Sequence, residues 1–207
     1  MCLVPGNHDA NREQVNDWSA RSELELLKSE ELLVAFFFDE KRYRGHREEA
    51  FRRLRPFAEF YSAFLGRRLI DQPEGVLSLL YSPRVFGKND GFACTVDVAP
   101  ICTSWLCQSY YWAFRKDTAF IAGDYSEPEG SVAVCVPKIE EAFFARQAAS
   151  REGLQIALMH HPFEWLVASE RQAARNLICQ QSDLVLTGHI HRSEIYKRRK
   201  NRPLASS

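Results

Sequence analysis

Three short clusters in this 207-residue chain contain side chains that bind divalent metals and transfer protons. They are Gly6-Asn7-His8-Asp9, His160-His161-Pro162 and Gly188-His189-Ile190-His191. Each cluster follows an apolar run, at residues 2–4, 156–159 and 184–187 respectively. Because open α/β sheets build their sites where strands end, we expect all three clusters to lie at the C-terminal ends of buried strands.

The residue types in these clusters suit metal-assisted hydrolysis. Imidazole nitrogens and amide oxygens bind Mn, Fe or Zn, and bridging carboxylates hold pairs of ions together. Two divalent ions about 3.5–4 Å apart can neutralise phosphoryl oxygens and activate a water molecule. Each cluster alone has a plainer interpretation, since Asn and Asp favour turns and helix caps and a histidine can be a satisfied strand end. The three together favour a metal site.

In their order and residue types, the clusters resemble the motifs G-N-H-D/E, H-x-P and G-H-x-H of the calcineurin-like metallophosphoesterases. The resemblance implies a hydrolase that cleaves a phosphomonoester or phosphodiester with two divalent ions. It implies that Asn7, His160 and His189 bind one ion and that His191 faces the other.

The same resemblance implies roles for the remaining cluster residues. His8 would donate a proton to the leaving group or stabilise the transition state, and Asp9 would orient His8. His161 occupies a variable position of H-x-P, so we expect it to be structural or to support a ligand. Gly6 and Gly188 are expected to permit tight backbone turns.

Two earlier motifs of that family, D-x-H and G-D-x-x-D/N, have no counterpart before Gly6, and no D-x-H occurs in the chain. Gly123-Asp124 begins like the second motif, but Glu127 stands where Asp or Asn is expected. We therefore expect a domain that is incomplete at its N-terminus, and at its C-terminus as well. The four remaining ligands are all neutral, which favours at most one bound ion and impaired activity, because two ions without bridging carboxylates repel each other.

The resemblance also implies the fold, an α/β sandwich of two sheets flanked by helices (α/β/β/α). The residue pattern itself predicts helices over 11–33, 49–65, 136–149 and 169–179, with a kink or restart at Pro56. It predicts strands at 2–5, 76–81, 92–98, 101–105, 154–159 and 183–187. We expect one partial domain over 1–207, with a helical insert at about 11–70.

Composition limits the other possibilities. Hydrophobic residues make up 45% and charged residues 26%, which is typical of a soluble globular protein. The net charge is zero, so nucleic acid is possible but not favoured as a partner. The apolar run 32–38 is too short to span a membrane, and six scattered cysteines indicate reduced thiols in the cytoplasm. The oligomeric state stays open.

Two alternative functions also remain open. The chain can be a catalytically inactive remnant that serves as a binding or scaffold module. It can also be a nuclease-type relative, for which the basic run at 197–200 would contact nucleic acid. A solvated basic edge is the plainer interpretation of that run.

Overall fold

A computed structural model describes residues 3–6, 9–11, 14, 17–65, 84–107, 129–147 and 153–189. Over these residues the chain is a mixed α/β structure with one four-stranded sheet and helices before and between its strands. The predicted α/β class is confirmed. The second sheet of a two-sheet sandwich stays a prediction, because the described residues form a single sheet.

The sheet has the strand order β1 (Arg84–Phe86), β2 (Val96–Ile101), β3 (Leu154–Met159), β4 (Leu184–Thr187). β1 is antiparallel to β2, whereas β2, β3 and β4 are mutually parallel. In the register of the parallel strands, Met159 is opposite both Ile101 and Thr187. The three parallel strands therefore end together at one edge of the sheet.

Two helices complete the parallel part of the sheet. α5 (Val136–Gln147) lies between β2 and β3 in the chain, and α6 (Ala168–Gln181) lies between β3 and β4. α5 contacts β2 and α6 contacts β4. Crossover helices of this kind bury one face of a parallel sheet and leave its strand ends free for a site.

In the described residues before the sheet there are four further helices: α1 (Asp17–Leu26), α2 (Glu30–Phe38), α3 (Glu40–Arg52) and α4 (Arg55–Leu65). Side chains in the turns begin two of them, since Ser29 Oγ accepts from the Leu32 N–H and Asp39 Oδ1 accepts from the Arg42 N–H. The predicted restart at Pro56 is confirmed, because Pro56 lies in the first turn of α4, where a missing N–H costs nothing.

Trp105 joins the helices to the sheet. It is fully buried, and its ring centroid lies 5.4 Å from that of Phe36, 5.0 Å from Phe37 and 5.9 Å from Phe51. Its indole N–H donates to the Ala133 carbonyl at 2.7 Å. The apolar residues of α2 and α3 thus share one core with the segments that border the strand ends.

Two strand predictions were wrong and one lies outside the described residues. β2 ends at Ile101, and the predicted strand 101–105 is instead an irregular segment that leads into a turn at 105–107. All of residues 101–107 are buried, so the period-2 alternation of a half-exposed strand was never present. Residues 3–6 are not in a strand either, and Pro5 has no N–H to donate to a neighbouring strand. The strand predicted at 76–81 falls outside the described part of the chain.

No helix in the described part of the chain combines the length and apolar character needed to cross a membrane.

Candidate metal centre

The shared edge of the sheet brings the second and third clusters together. His160 follows β3 directly, and His189 follows β4 after Gly188. The Gly188 N–H donates to the His160 carbonyl at 3.0 Å, which continues the pairing of the two strands beyond their ends. His189 has a φ of 65°, in the left-handed region, so the backbone turns sharply at that residue.

The imidazoles of His160 and His189 are neighbours. His160 Nε2 lies 3.3 Å from His189 Nδ1, and the ring centroids are 5.2 Å apart. Ligand atoms of His160, His161 and His189 all lie within 4.8 Å of one another, so this group could hold a metal ion.

The chemistry of these donors fits a divalent ion. Two nitrogens bound tetrahedrally at about 2.0–2.1 Å lie about 3.3–3.4 Å apart, which is the spacing of His160 Nε2 and His189 Nδ1. Neutral imidazole is a borderline ligand suited to zinc and iron. The spacing of the two nitrogens is therefore compatible with a shared divalent ion.

His161 is the most buried member of the group. Its backbone N–H donates to Thr103 Oγ1 at 3.1 Å, and its Nδ1 lies 2.7 Å from the same oxygen. Its Nε2 lies 3.9 Å from Cys107 Sγ. Burial lowers the pKa of His161 well below its usual value, and the nearby imidazoles of His160 and His189 lower it further. The His161 ring is therefore neutral at physiological pH.

Two glycines lie close to the ring of His160. A Cβ on Gly6 would lie 2.9 Å from His160 Cε1, and a Cβ on Gly188 would lie 3.3 Å from His160 Nδ1. Neither glycine has a positive φ, so the reason for glycine at both positions is close approach to a side chain. The turn expected at Gly6 is present, because the Gly6 carbonyl accepts from the Asp9 N–H at 3.1 Å, and the approach to His160 is a further constraint on that residue. Gly6 places the start of the first cluster against the His160 ring, although residues 3–6 do not form the strand that was predicted to precede it.

Asp9 closes the turn that carries the first cluster. Asp9 Oδ2 accepts from the Gly6 N–H at 2.8 Å, and the Asp9 N–H donates to the Gly6 carbonyl at 3.1 Å. This is the turn chemistry that was the plainer interpretation of the cluster. Asn7, His8 and His191 lie outside the described residues, so the roles of these three, and of Asp9 toward His8, stay predictions.

A buried arginine ties the helices to the segment that carries Thr103 and Cys107. Arg53, between α3 and α4, donates from Nη1 to the Cys107 carbonyl at 2.8 Å and forms a buried ion pair with Glu23. The Arg53 carbonyl accepts from the Asn11 N–H at 2.7 Å. Nearby, Ser104 Oγ donates to the Pro5 carbonyl at 2.8 Å. The helices thus brace both segments that border the histidines.

Sequence reasoning missed three residues of this site: Thr103, Cys107 and Trp165. The Trp165 ring centroid lies 5.1 Å from that of His189. A signal for Thr103 was present, because it follows an apolar run just as the clusters do, but that run was extended through it as a strand. No protein-family model, curated protein or solved structure matches this chain. The functional assignment therefore depends on the chemistry of the site and on the three motifs.

Proposed function

We propose that this chain belongs to a metal-dependent phosphoesterase domain of the calcineurin-like metallophosphoesterase type, which hydrolyses a phosphomonoester or phosphodiester. The observation that carries the proposal is the 3.3 Å spacing of His160 Nε2 and His189 Nδ1 at the ends of neighbouring parallel strands. The two-sheet sandwich of that family is part of the proposal. The order of the three motifs supports it independently of the geometry.

In this proposal His160 and His189 would hold one divalent ion through Nε2 and Nδ1. The ion, when bound, supplies Lewis acidity that withdraws charge from the phosphoryl oxygens and lowers the pKa of water. The close approach of Gly6 and Gly188 to the His160 ring restricts the orientation of that imidazole in the metal-free chain. Asn7 would complete the ligand set of this ion, and His191 would face a second ion. His8 would protonate the leaving oxygen, and Asp9 would orient it.

A second candidate is a metal-binding module without turnover. The group of His160, His161 and His189 contains imidazoles and, among the described residues, no carboxylate. A second divalent ion close to the first would be strongly repelled without a bridging carboxylate. If the chain acts as a scaffold, we expect it to bind one ion and to hydrolyse no ester.

Metal binding and turnover, measured on the same preparation, separate the two candidates. We expect one Zn²⁺ or Co²⁺ per chain, lost in His160→Ala and His189→Ala. His46→Ala is the matched control, because His46 is exposed on α3 and should leave binding unchanged. Hydrolysis of p-nitrophenyl phosphate or its bis ester, with Mn²⁺, Fe²⁺ or Zn²⁺, tests for turnover.

Hydrolysis that His8→Ala abolishes while metal binding persists would support the phosphoesterase. Stoichiometric metal binding without hydrolysis of either ester would favour the binding module. Absence of metal binding at micromolar Zn²⁺ and Co²⁺ would overturn both.

A further inference from the structure

Thr103, His161 and Cys107 form a buried hydrogen-bonded group directly behind the two proposed ligands. We infer that His161 is a positioning residue, which Thr103 holds in the Nε2–H tautomer and which does not itself donate a lone pair to the metal. Its ring sets the spacing of the two imidazoles it touches. The inference deepens the proposed function and rests on the metal site proposed there.

The hydrogen bonds of Thr103 Oγ1 determine which tautomer of His161 is favoured. A hydroxyl has one donor and two acceptor positions, and Thr103 Oγ1 already accepts from the His161 backbone N–H at 3.1 Å. Thr103 is wholly buried, so water does not compete for its proton. If His161 Nδ1 were protonated, Oγ1 would accept twice and its own proton would have no acceptor among the described residues. An orphaned buried donor costs about 1–3 kcal/mol.

The opposite arrangement gives partners to the Thr103 hydroxyl and to both ring nitrogens of His161. If the Thr103 hydroxyl donates to His161 Nδ1 across the 2.7 Å contact, its oxygen remains free to accept the backbone N–H. The neutral ring then carries its proton on Nε2, which points to Cys107 Sγ at 3.9 Å, a weak acceptor. Both ring nitrogens of His161 are then engaged and neither offers a lone pair to a metal ion.

Ring packing explains what such a residue does. The His161 ring centroid lies 4.7 Å from that of His160, with the planes at 87°, and 4.5 Å from that of His189, with the planes at 49°. A ring held rigidly by Thr103 therefore supports both ligands from one side. Supporting partners of metal ligands typically change metal affinity about 10- to 100-fold when they are removed.

Nitrogen NMR of the full chain tests the tautomer directly. In chain labelled with ¹⁵N-histidine, long-range ¹H–¹⁵N spectra should show His161 with an unprotonated Nδ1 and a protonated Nε2. When Zn²⁺ is added, the resonances of His160 Nε2 and His189 Nδ1 should shift while His161 keeps its Nε2 proton. Loss of that proton on zinc binding, or an Nδ1–H tautomer in the free chain, would overturn the inference.

The spectrum also separates this inference from the proposed function. Zinc that shifts neither His160 nor His189 would overturn the metal site, whereas the free-chain spectrum would still decide the tautomer of His161. The NMR measurement uses the unmodified chain, so it tests the tautomer of His161 even if a variant of Thr103 fails to fold.

A matched pair of variants tests the positioning role. Thr103→Val keeps the shape but removes the hydroxyl, and we expect zinc affinity to fall about 10- to 100-fold. Thr103→Ser keeps the hydroxyl and should restore affinity to within a few-fold of the unmodified chain. Circular dichroism monitors folding. Unchanged zinc affinity in a folded Thr103→Val variant would overturn the role, and so would equal losses in both variants.

Discussion

Gly6 lies against the imidazole ring of His160, so closely that a Cβ at position 6 would be 2.9 Å from His160 Cε1 and 3.1 Å from Nδ1. These two residues are far apart in the sequence and belong to different motifs. Gly188 approaches the same ring, where a Cβ would be 3.3 Å from Nδ1. The backbone at two glycines therefore restricts the orientation of the proposed ligand His160.

Gly6→Ala should displace this ligand. An added methyl group forces either the His160 ring or the segment carrying Asp9 to move, because real Cβ atoms essentially never come within 3.0 Å of another heavy atom. We expect zinc affinity to fall about 10-fold or more, as when other supports of a metal ligand are altered. Competition with a chromophoric chelator measures the change.

Gly45→Ala is the control for that substitution. Gly45 lies inside α3, and a Cβ there meets nothing within 4 Å. We expect unchanged zinc affinity and a gain of about 0.5–1 kcal/mol in unfolding free energy, since alanine favours a helix over glycine. Equal zinc affinities for Gly6→Ala and the unmodified chain would contradict the proposal that Gly6 restricts the His160 ring.

The buried pair of Arg53 and Glu23 should contribute strongly to stability. The two side chains are 1% and 7% exposed, so the charge of Arg53 depends on its carboxylate partner. Breaking a buried pair by removing one partner typically costs about 3–5 kcal/mol, so we expect Glu23→Gln to lower the unfolding free energy by that amount. Glu25→Gln breaks an exposed pair with Lys28 and should cost less than about 1 kcal/mol. Similar urea midpoints for both variants would contradict the expectation.

Secondary-structure elements with a local sequence signal were predicted correctly. The strand 154–159 and the helix restart at Pro56 agree with the structure, because a short apolar run and a proline in a first helical turn act locally. The proximity of His160 and Gly188 was also predictable, since parallel strands end at one edge of a sheet, whereas Gly6 reaches the same ring from a segment that is not a strand.

The position of His161 was harder to predict. Its hydrogen-bond partner Thr103 is separated from it by 58 residues and lies in a segment that looked like a strand. Periodicity cannot reveal a buried turn in which successive side chains all face inward, as they do over 101–107. For the same reason, the supporting role of Arg53 has no signature in the sequence, because an arginine at a helix junction usually faces solvent.

Cysteine reactivity should follow burial. Burial raises the pKa of the Cys102 thiol to about 12 and that of Cys135 to about 12, so both stay protonated near neutral pH. Cys94 is exposed. Because only the thiolate is nucleophilic, iodoacetamide should label Cys94 in the native chain and reach Cys102 and Cys135 only after unfolding. Peptide mass spectrometry measures each site. Labelling of native Cys102 as fast as Cys94 would show that its segment opens readily.

Glu170 should give the stability a pH dependence of a definite sign. It is buried on α6, and its carboxylate accepts from the N–H groups of Val134, Cys135 and Val136, which lead into α5. Burial raises the pKa of Glu170 above its usual 4.5, although these three hydrogen bonds act in the opposite direction. A raised folded pKa means that the contribution to stability is complete below 4.5 and is lost as the pH rises through the folded value.

Glu170→Gln should remove that dependence. The amide replaces one acceptor oxygen with a donor that faces backbone N–H groups, so we expect a loss of about 1–3 kcal/mol in unfolding free energy. The difference between the unmodified chain and the variant should be larger below pH 4.5 than above the raised pKa, because only the unmodified chain loses stability on deprotonation. Glu140→Gln, exposed on α5, makes the same charge change and should shift urea midpoints little at any pH. A difference that grows as the pH rises would mean that the three hydrogen bonds outweigh burial and that the pKa of Glu170 is lowered.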